Sequence, residues 1–546
     1  MTHWADRTAD ALIAERPDVE VYTCASGISP SGSIHIGNVR DIATILFVGR
    51  ALRDRGKRVR LIHSWDDYDR LRKIPRPKTA ADAGLPSWLE ERARRMQIPE
   101  SFEEHLGRPL ASVPDPLGEF PSYADRFEKE FEGALIDLGV ETEIEILRQS
   151  EKYPSGVYRD AILEAVAARH LIYDIIASYR TQAPSAEERM SFLPVTVYCS
   201  GCNRDLTRTS LVEDSETVLR VVCSACRLEE TLDLRDAVNV KLPWKVDWAM
   251  RWRHEGVVFE PFGKDHATAG GSFEVSSEIA RRVYGSEPPM PQPYEFIGIK
   301  GLTGKMSGST GLLLTPADLL TIYQPEVMLW MYARVAPMKA FDVAVDDQVL
   351  RMYDEFDRAL AGEPQMESDL RSLELARTRD RQLKAVPFRQ LTGFCGIVQG
   401  NADALEKIFE TMGTPYVKAD FEERLHKAEM WLERFMPEQR VALRNSPADG
   451  SEIGELSLSN GAEFEMVRKL VEWLDAHESF SAEEATEAVY AMPKVEGQTD
   501  KEQSAAQKKF FRVLYTLLFG TSRGPRLGTF LAAVPKERYI GLLRLS

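Results

Sequence analysis

Apolar and β-forming residues open the chain in a strand–helix–strand pattern. Val21, Tyr22 and Thr23 lie in a strand-like VEVYTCAS and a loop GISPSGSIHIG follows; Val39, Ile42, Ala43, Leu46 and Ala51 then recur at helical spacing until Gly56 supplies a stop. KRVRLIH, ending at His63, reads as a second strand, so Val21 to His63 predicts one βαβ unit. The loop leaving the first strand of such a unit sits at the carboxyl edge of a parallel sheet. There the next helix turns its free N–H groups and positive dipole end outward, and a phosphate would settle.

A second strand–loop–helix pattern lies far downstream, where GVVFEPF from Gly256 runs into GKDH, a Gly-Gly turn and a helix start at Ser272. Between the two, residues 76–150 are rich in Pro and charge and read as an insertion, with GRPLASVPDPLGEFPSYADRF as irregular chain before a helix. Helical SGVYRDAILEAVAARH resumes near Ser155. From about Thr315 the pattern turns helical and stays so, with 3.6-period stripes in PEVMLWMYARVAP, ADFEERLHKAEMWLERF and EFEMVRKLVEWLDAH. The resulting division is an α/β nucleotide-binding domain in two halves, 1–75 and 236–314, interrupted by an insertion (76–150), a helical continuation (151–198) and a cysteine-bearing unit (199–235). A helical region (315–375) and an all-α C-terminal domain (376–546) complete it.

At 546 residues the chain is too long for one core. No stretch reaches eighteen apolar residues and the N-terminus lacks an apolar leader pattern, so the expectation is a cytoplasmic protein with no membrane partner. A net charge of −16 excludes indiscriminate nucleic-acid binding but leaves room for a local basic face. Two clusters qualify: Arg50, Arg53, Arg55, Lys57, Arg58 and Arg60, which read first as a solvated helix end, and Arg70, Arg72, Lys73, Arg76 and Lys78.

Six cysteines in so long a chain make no disulfide framework. Cys199-x2-Cys202 and Cys223-x2-Cys226, with a strand-like LVEDSETVLRVV between them, instead match a zinc ribbon; four thiolates leave no open position, so that zinc is structural. Cys24 and Cys395 stand alone and read as buried thiols. The first loop carries Gly27, Gly32 and Gly37 for close backbone approach, with His35 and Asn38 as donors at the helix start. It is neither G-x-G-x-x-G nor a P-loop. Asp66, Asp67 and Asp69 follow the second strand at the same edge, and an acid there would meet a cationic substrate side chain. Asp265 stands where a carboxylate binds ribose hydroxyls. Trp244, Trp248 and Trp252 recur every four residues, a stripe best explained as core packing for two of the three. Finally GIKGLTGKMSGSTG gathers Gly301, Gly304, Lys305, Ser307 and Gly308 in a loop able to close over a triphosphate.

HIGN at His35 to Asn38 and KMSGS at Lys305 to Ser309 resemble the paired HIGH and KMSKS signatures of class I aminoacyl-tRNA synthetases. Within that class SGISPSGSIHIGN, DDYDRLRKIP, GRPLASVPDP, PWKVDWAMRW, FEPFGKDHATAGGS, PYEFIGIKG and the C-terminal FFRVLYTLLFGTSRGPRLGTFL are similar to the class I lysyl-tRNA synthetases of archaea and some bacteria. The resemblance covers nearly the whole chain. It implies a catalytic Rossmann domain with connective insertion and zinc ribbon, then a helical anticodon-binding domain. It places ATP, with Mg²⁺, at His35, Gly37, Asn38, Asp265, Lys305 and Ser307, with His35 and Lys305 catalytic. L-Lysine falls at Gly27, Ser29, Trp244, His266 and Tyr294, with Asp66 proposed for the ε-ammonium, and tRNA(Lys) is the implied partner. Lys508, Lys509, Arg512, Arg523 and Arg526 are candidates for the anticodon. The loop departs from the family's usual KMSSSKGN, with Thr310 in place of a second Lys and Leu312 in place of Asn. Two other functions fit parts of the pattern: a paralogue that activates lysine or a related amino acid without tRNA, and a non-catalytic zinc-ribbon nucleic-acid binder.

Overall fold

The structure, a computed structural model, describes residues 2–544 apart from 77–87, 91–96, 181–184, 303–305, 307–312, 364–366, 379–382, 415, 449–461 and 496. The chain forms two compact units: residues 1–320, 325–344 and 365–380 make the first, and residues 321–324, 345–364 and 381–546 the second.

The first unit is built on a parallel five-stranded sheet. Strand β1 (Val21–Ile28) pairs with β2 (Arg58–Trp65), which pairs with β3 (Ile144–Arg148); on its other side β1 pairs with β4 (Val257–Gly263), and β4 with β5 (Met290–Tyr294). The order is therefore β5-β4-β1-β2-β3, with the direction of winding reversing between β1 and β4. In doubly wound sheets that reversal opens a crevice at the strands' carboxyl ends. Strand β1 is buried on both faces, as a central parallel strand must be, which is why its apolar residues run without alternation. Helix α1 (Ile36–Arg53) crosses from β1 to β2 and is buried nearly all round, Arg40 and Asp41 included. Gly56, at φ +72°, makes the turn after it that L side chains disfavour.

The insertion is shorter than the 76–150 expected from composition, because β3 (144–148) belongs to the main sheet beside β2. A helix, Tyr123–Leu138, capped by Ser122 and closed by Gly139, leads into it. Residues 199–235 hold a three-stranded antiparallel sheet (Thr207–Leu211, Val218–Cys223, Glu229–Asp233), where the pattern between the cysteine pairs suggests a single strand-like stretch, with Asp214 at φ +60° in the first hairpin turn. Helix α2 (Trp244–Glu255) follows and lies immediately before β4 in the chain.

The first basic cluster is consumed by structure. Arg50 and Arg53 pair with Glu143, Arg55 with Asp6 and Asp10, Arg58 with Glu20, and Arg60 with Glu145 and Glu255. Arg40, buried in α1, donates to the carbonyls of Glu295, Ala336 and Lys339 at 2.8–2.9 Å, which satisfies a charge that water cannot reach.

In the second unit the described elements are helices, among them Gln348–Leu360, Phe388–Val398, Lys418–Arg434 and Asp500–Phe519. Its centre is polar at one point: buried Arg424 forks onto Asp357 at 2.7 and 2.9 Å, donates to Gln324, and lies 5.2 Å from the Tyr353 ring centre. Among the described residues no helix is long and apolar enough to cross a membrane.

Candidate active site

The crevice between β1 and β4 opens into a cavity of about 390 Å³. Its lining includes Ala25 to Ser29 from β1 and the loop after it, His35, Gly37, Asn38 and Asp41 from the start of α1, and Glu260 to Gly263 from β4. Trp244, Trp248, Arg251 and Trp252 of α2 add one wall, with Asp265, His266, Tyr294 and Met306 completing it.

His35 is the N-cap of α1, and its backbone N–H donates to Asn38 Oδ1 at 3.2 Å, so HIGN is partly a helix-start device. The start is pinned from two further sides: Ile36 N–H donates to the Leu314 carbonyl and the Tyr332 hydroxyl to the Ile36 carbonyl, both at 2.8 Å. Gly37 leaves room for the imidazole. A Cβ on it would lie 2.8 Å from the His35 ring. The free N–H groups and dipole of an eighteen-residue helix therefore face the cavity with the imidazole beside them.

Two buried carboxylates enter the cavity from opposite sides of the switch point. Asp41, in the second turn of α1, lies beside the Tyr294 hydroxyl and the Gly27 N–H, and its Oδ1 has no hydrogen-bond partner in the structure. Burial, reinforced by the charge of Glu260, pushes its pKa well above the ordinary carboxylate range. Glu260 accepts from the indole N–H groups of Trp248 at 2.9 Å and Trp252 at 2.5 Å, and burial pushes it up to about 7. Neither acid forms an ion pair among the described residues. Both Glu260 oxygens are thus taken, whereas the open oxygen of buried Asp41 is a site for a cation that brings its own hydrogen-bond donors.

Every described residue expected at the site lines this cavity except Asp66. Asp66 is the correction: its carboxylate is buried and paired at 2.8 Å with Arg251, which also lies 2.9 Å from Asp247, so it holds α2 against β2 rather than facing the ligand. Asp67 accepts from the Ser150 N–H at 2.8 Å, and Asp69 pairs with Lys241. Lys305 and Ser307 lie outside the described residues, although Met306 between them lines the cavity. The sequence pattern missed Asp41, Glu260 and Arg251; its core role for two of the three tryptophans holds, since Trp248 and Trp252 are buried in the apolar core while Trp244 is only partly buried, and all three also line the cavity.

A second hollow shares Ile28, Ser29, His35 and Asn38 with the first and is otherwise lined by Ser31 to Ile34, Asp69, Arg70, Arg72, Lys73 and Pro75. Its basic residues are exposed, while Leu71, Ile74 and Pro75 between them are buried and anchor the segment. Apart from this site, Cys199, Cys202, Cys223 and Cys226 bring four sulfurs within 4.8 Å of one another, with Cys199–Cys226 at 3.5 Å and Cys202–Cys223 at 3.6 Å.

The family model for class I tRNA synthetases of the lysine type matches residues 2–379. A lysine–tRNA ligase of Thermococcus kodakarensis is 36% identical over 100% of both chains. The chain belongs to this family. A Streptomyces coelicolor lysine–tRNA ligase is 36% identical, covering 99% of this chain and 98% of its own, and one from Treponema pallidum is 34% identical over 98% and 97%. Among solved structures, a glutamate–tRNA ligase from Elizabethkingia meningosepticum superposes with a TM-score of 0.45 at 13% identity, covering 96% of this chain and 98% of that one. As a class I synthetase, the chain has the parallel α/β core and the helical content seen above.

Proposed function

We propose that this synthetase is a lysine–tRNA ligase, activating L-lysine with ATP and passing it to the 3′-terminal adenosine of tRNA(Lys). The observation that carries the amino acid's identity is the unpartnered Oδ1 of buried Asp41 beside the Tyr294 hydroxyl. An ε-ammonium supplies three donors to such a place, and the tryptophan wall covers its four-carbon stem.

In the first step the lysine carboxylate attacks the α-phosphate of ATP and pyrophosphate leaves in line. The nucleophile is already ionised at neutral pH, so no general base is needed. His35, the N–H groups opening α1 and Lys305 stabilise the charge that develops on the phosphates, while Gly27 and Ser29 offer close approach on the β1 side. Mg²⁺, when bound with the triphosphate, would neutralise part of its charge, and the Asp265 carboxylate suits the ribose hydroxyls of the nucleotide. In the second step a ribose hydroxyl of the terminal adenosine displaces AMP. The basic hollow with Arg70, Arg72 and Lys73 suits the phosphates of the tRNA's 3′ end. In the second unit Arg523 and Arg526 line a cavity of about 670 Å³ with Phe394 and Trp431, a setting that supports reading of an unpaired anticodon base.

The four-cysteine cluster fits Zn²⁺, since tetrahedral Zn–S bonds of about 2.3 Å place sulfurs close to 3.8 Å apart. Its role is to hold residues 199–235, whose strands bury few large side chains. The C223S protein is therefore expected to bind less than a tenth of the zinc of the native chain, measured by atomic emission, and to be cleaved within 199–235 by protease at concentrations that leave the native chain intact.

Amino-acid-dependent ATP–pyrophosphate exchange, run over all twenty amino acids with and without tRNA(Lys), tests the ligase reading. Exchange with lysine that needs tRNA, or that is followed by charging of tRNA(Lys), supports it; lysine exchange without charging points to the tRNA-independent paralogue, and exchange with another amino acid, or with none, refutes it.

A further inference from the structure

Both oxygens of Glu260 are committed to indole N–H groups, Oε1 to Trp248 and Oε2 to Trp252. These two rings continue a ladder: Trp244 stacks on Trp248 at 4.9 Å with 21° between planes, and Trp248 meets Trp252 at 5.0 Å. All three line the active-site cavity. Phe262 and Phe273 meet Trp248 edge-on at 5.7 and 5.9 Å, which fixes where its ring lies but not which edge faces inward. The carboxylate decides that edge. Charge-assisted hydrogen bonds are about twice as strong as neutral ones, so an ionised Glu260 holds both indoles where a neutral carboxyl holds them less firmly.

We infer that Glu260 is a positioning residue for the amino acid: through the indole N–H groups of Trp248 and Trp252 it fixes the wall on which the lysine stem packs. It thereby sets the span from that wall to Asp41, which separates lysine from its one-carbon-shorter homologue, ornithine. The inference rests on the lysine reading of the cavity. The charged groups that face Glu260 are Arg251 from α2, Asp66 from the end of β2 and Asp41 from α1; burial and Asp66 favour its neutral form, the indoles and Arg251 its ionised one, while the charge of Glu260 in turn raises Asp41. With the balance near neutrality, the competent ionised form is present above about pH 7 and is lost as pH falls through that value.

The test uses the full-length protein with tRNA(Lys), measuring kcat and KM for lysine, ornithine and ATP from pH 6 to 8.5. E260Q keeps the size of the side chain but turns a donor toward one indole. It is expected to raise the lysine KM about tenfold and to lower the lysine-over-ornithine preference by a similar factor, with kcat and the ATP KM within about twofold. W252F removes one indole N–H and leaves the carboxylate, so a smaller shift in the same direction is expected; the double variant is no worse than E260Q, because both changes break one bond. The acid limb of kcat/KM for lysine that comes from protonation of Glu260, falling below about pH 7 in the native chain, is absent in E260Q. Native lysine KM, preference and acid limb in both E260Q and W252F would overturn the inference while leaving the ligase reading intact. Absence of lysine activation by the native chain would overturn both.

Discussion

Replacing Asp41 by Asn is expected to lower kcat/KM for lysine about a thousandfold while leaving the ATP KM within about threefold. Asn fills the same space but cannot receive an ammonium as an anion. Removing one partner of a buried charge pair costs about 3–5 kcal/mol, and a thousandfold loss corresponds to about 4 kcal/mol. Stability separates this from simple damage. Burial and Glu260 hold the folded-state pKa of Asp41 above its unfolded value, so its favourable contribution to the fold is present at acid pH and is lost as pH rises through the folded value. The D41N protein is therefore expected to melt no lower than the native chain at pH 8, read by calorimetry. A lysine KM that D41N leaves unchanged would move the ammonium away from Asp41.

His35→Ala is expected to lower kcat about a hundredfold or more, with KM for lysine and ATP changed by less than about fivefold. The imidazole meets phosphate charge that develops in the transition state, and groups used in that way show their loss in kcat. Gly37→Ala supplies an independent check without touching the ring's chemistry. Its Cβ would sit 2.8 Å from the imidazole, so it displaces His35 and is expected to reproduce most of the kcat loss. Single-turnover formation of the adenylate distinguishes this from slow product release. An H35A protein with native kcat would remove the imidazole from the chemistry.

The frame of the site was legible because it rests on local signals. The β1–loop–α1 unit, the paired HIGN and KMSGS segments, and the two CxxC pairs each depend on short-range spacing. What sequence pattern missed depends on burial set by distant chain. Asp41 lies off the apolar stripe of Val39, Ile42, Ala43 and Leu46, a position that implies water; α1 is instead enclosed on that side too, with Tyr294, more than 250 residues away, beside Asp41. Asp66 looked available at a strand end, and its partner Arg251 lies 185 residues downstream. Strand β3 is five residues long in a stretch whose Pro and charge content argued for an insertion, and only pairing with β2 reveals it. Glu260 did leave a trace: a carboxylate inside VVFEPF interrupts a strand otherwise apolar on both faces, and such an interruption in a central parallel strand marks a function.

The most direct measurement is charging: native protein, ATP, Mg²⁺, labelled lysine and a tRNA(Lys) transcript, with the product digested to show where the label resides. A lysine–tRNA ligase leaves lysine esterified to the 3′-terminal adenosine and yields AMP and pyrophosphate in step with it. Lysine-dependent pyrophosphate release with the tRNA uncharged, or a different amino acid on the tRNA, would contradict it.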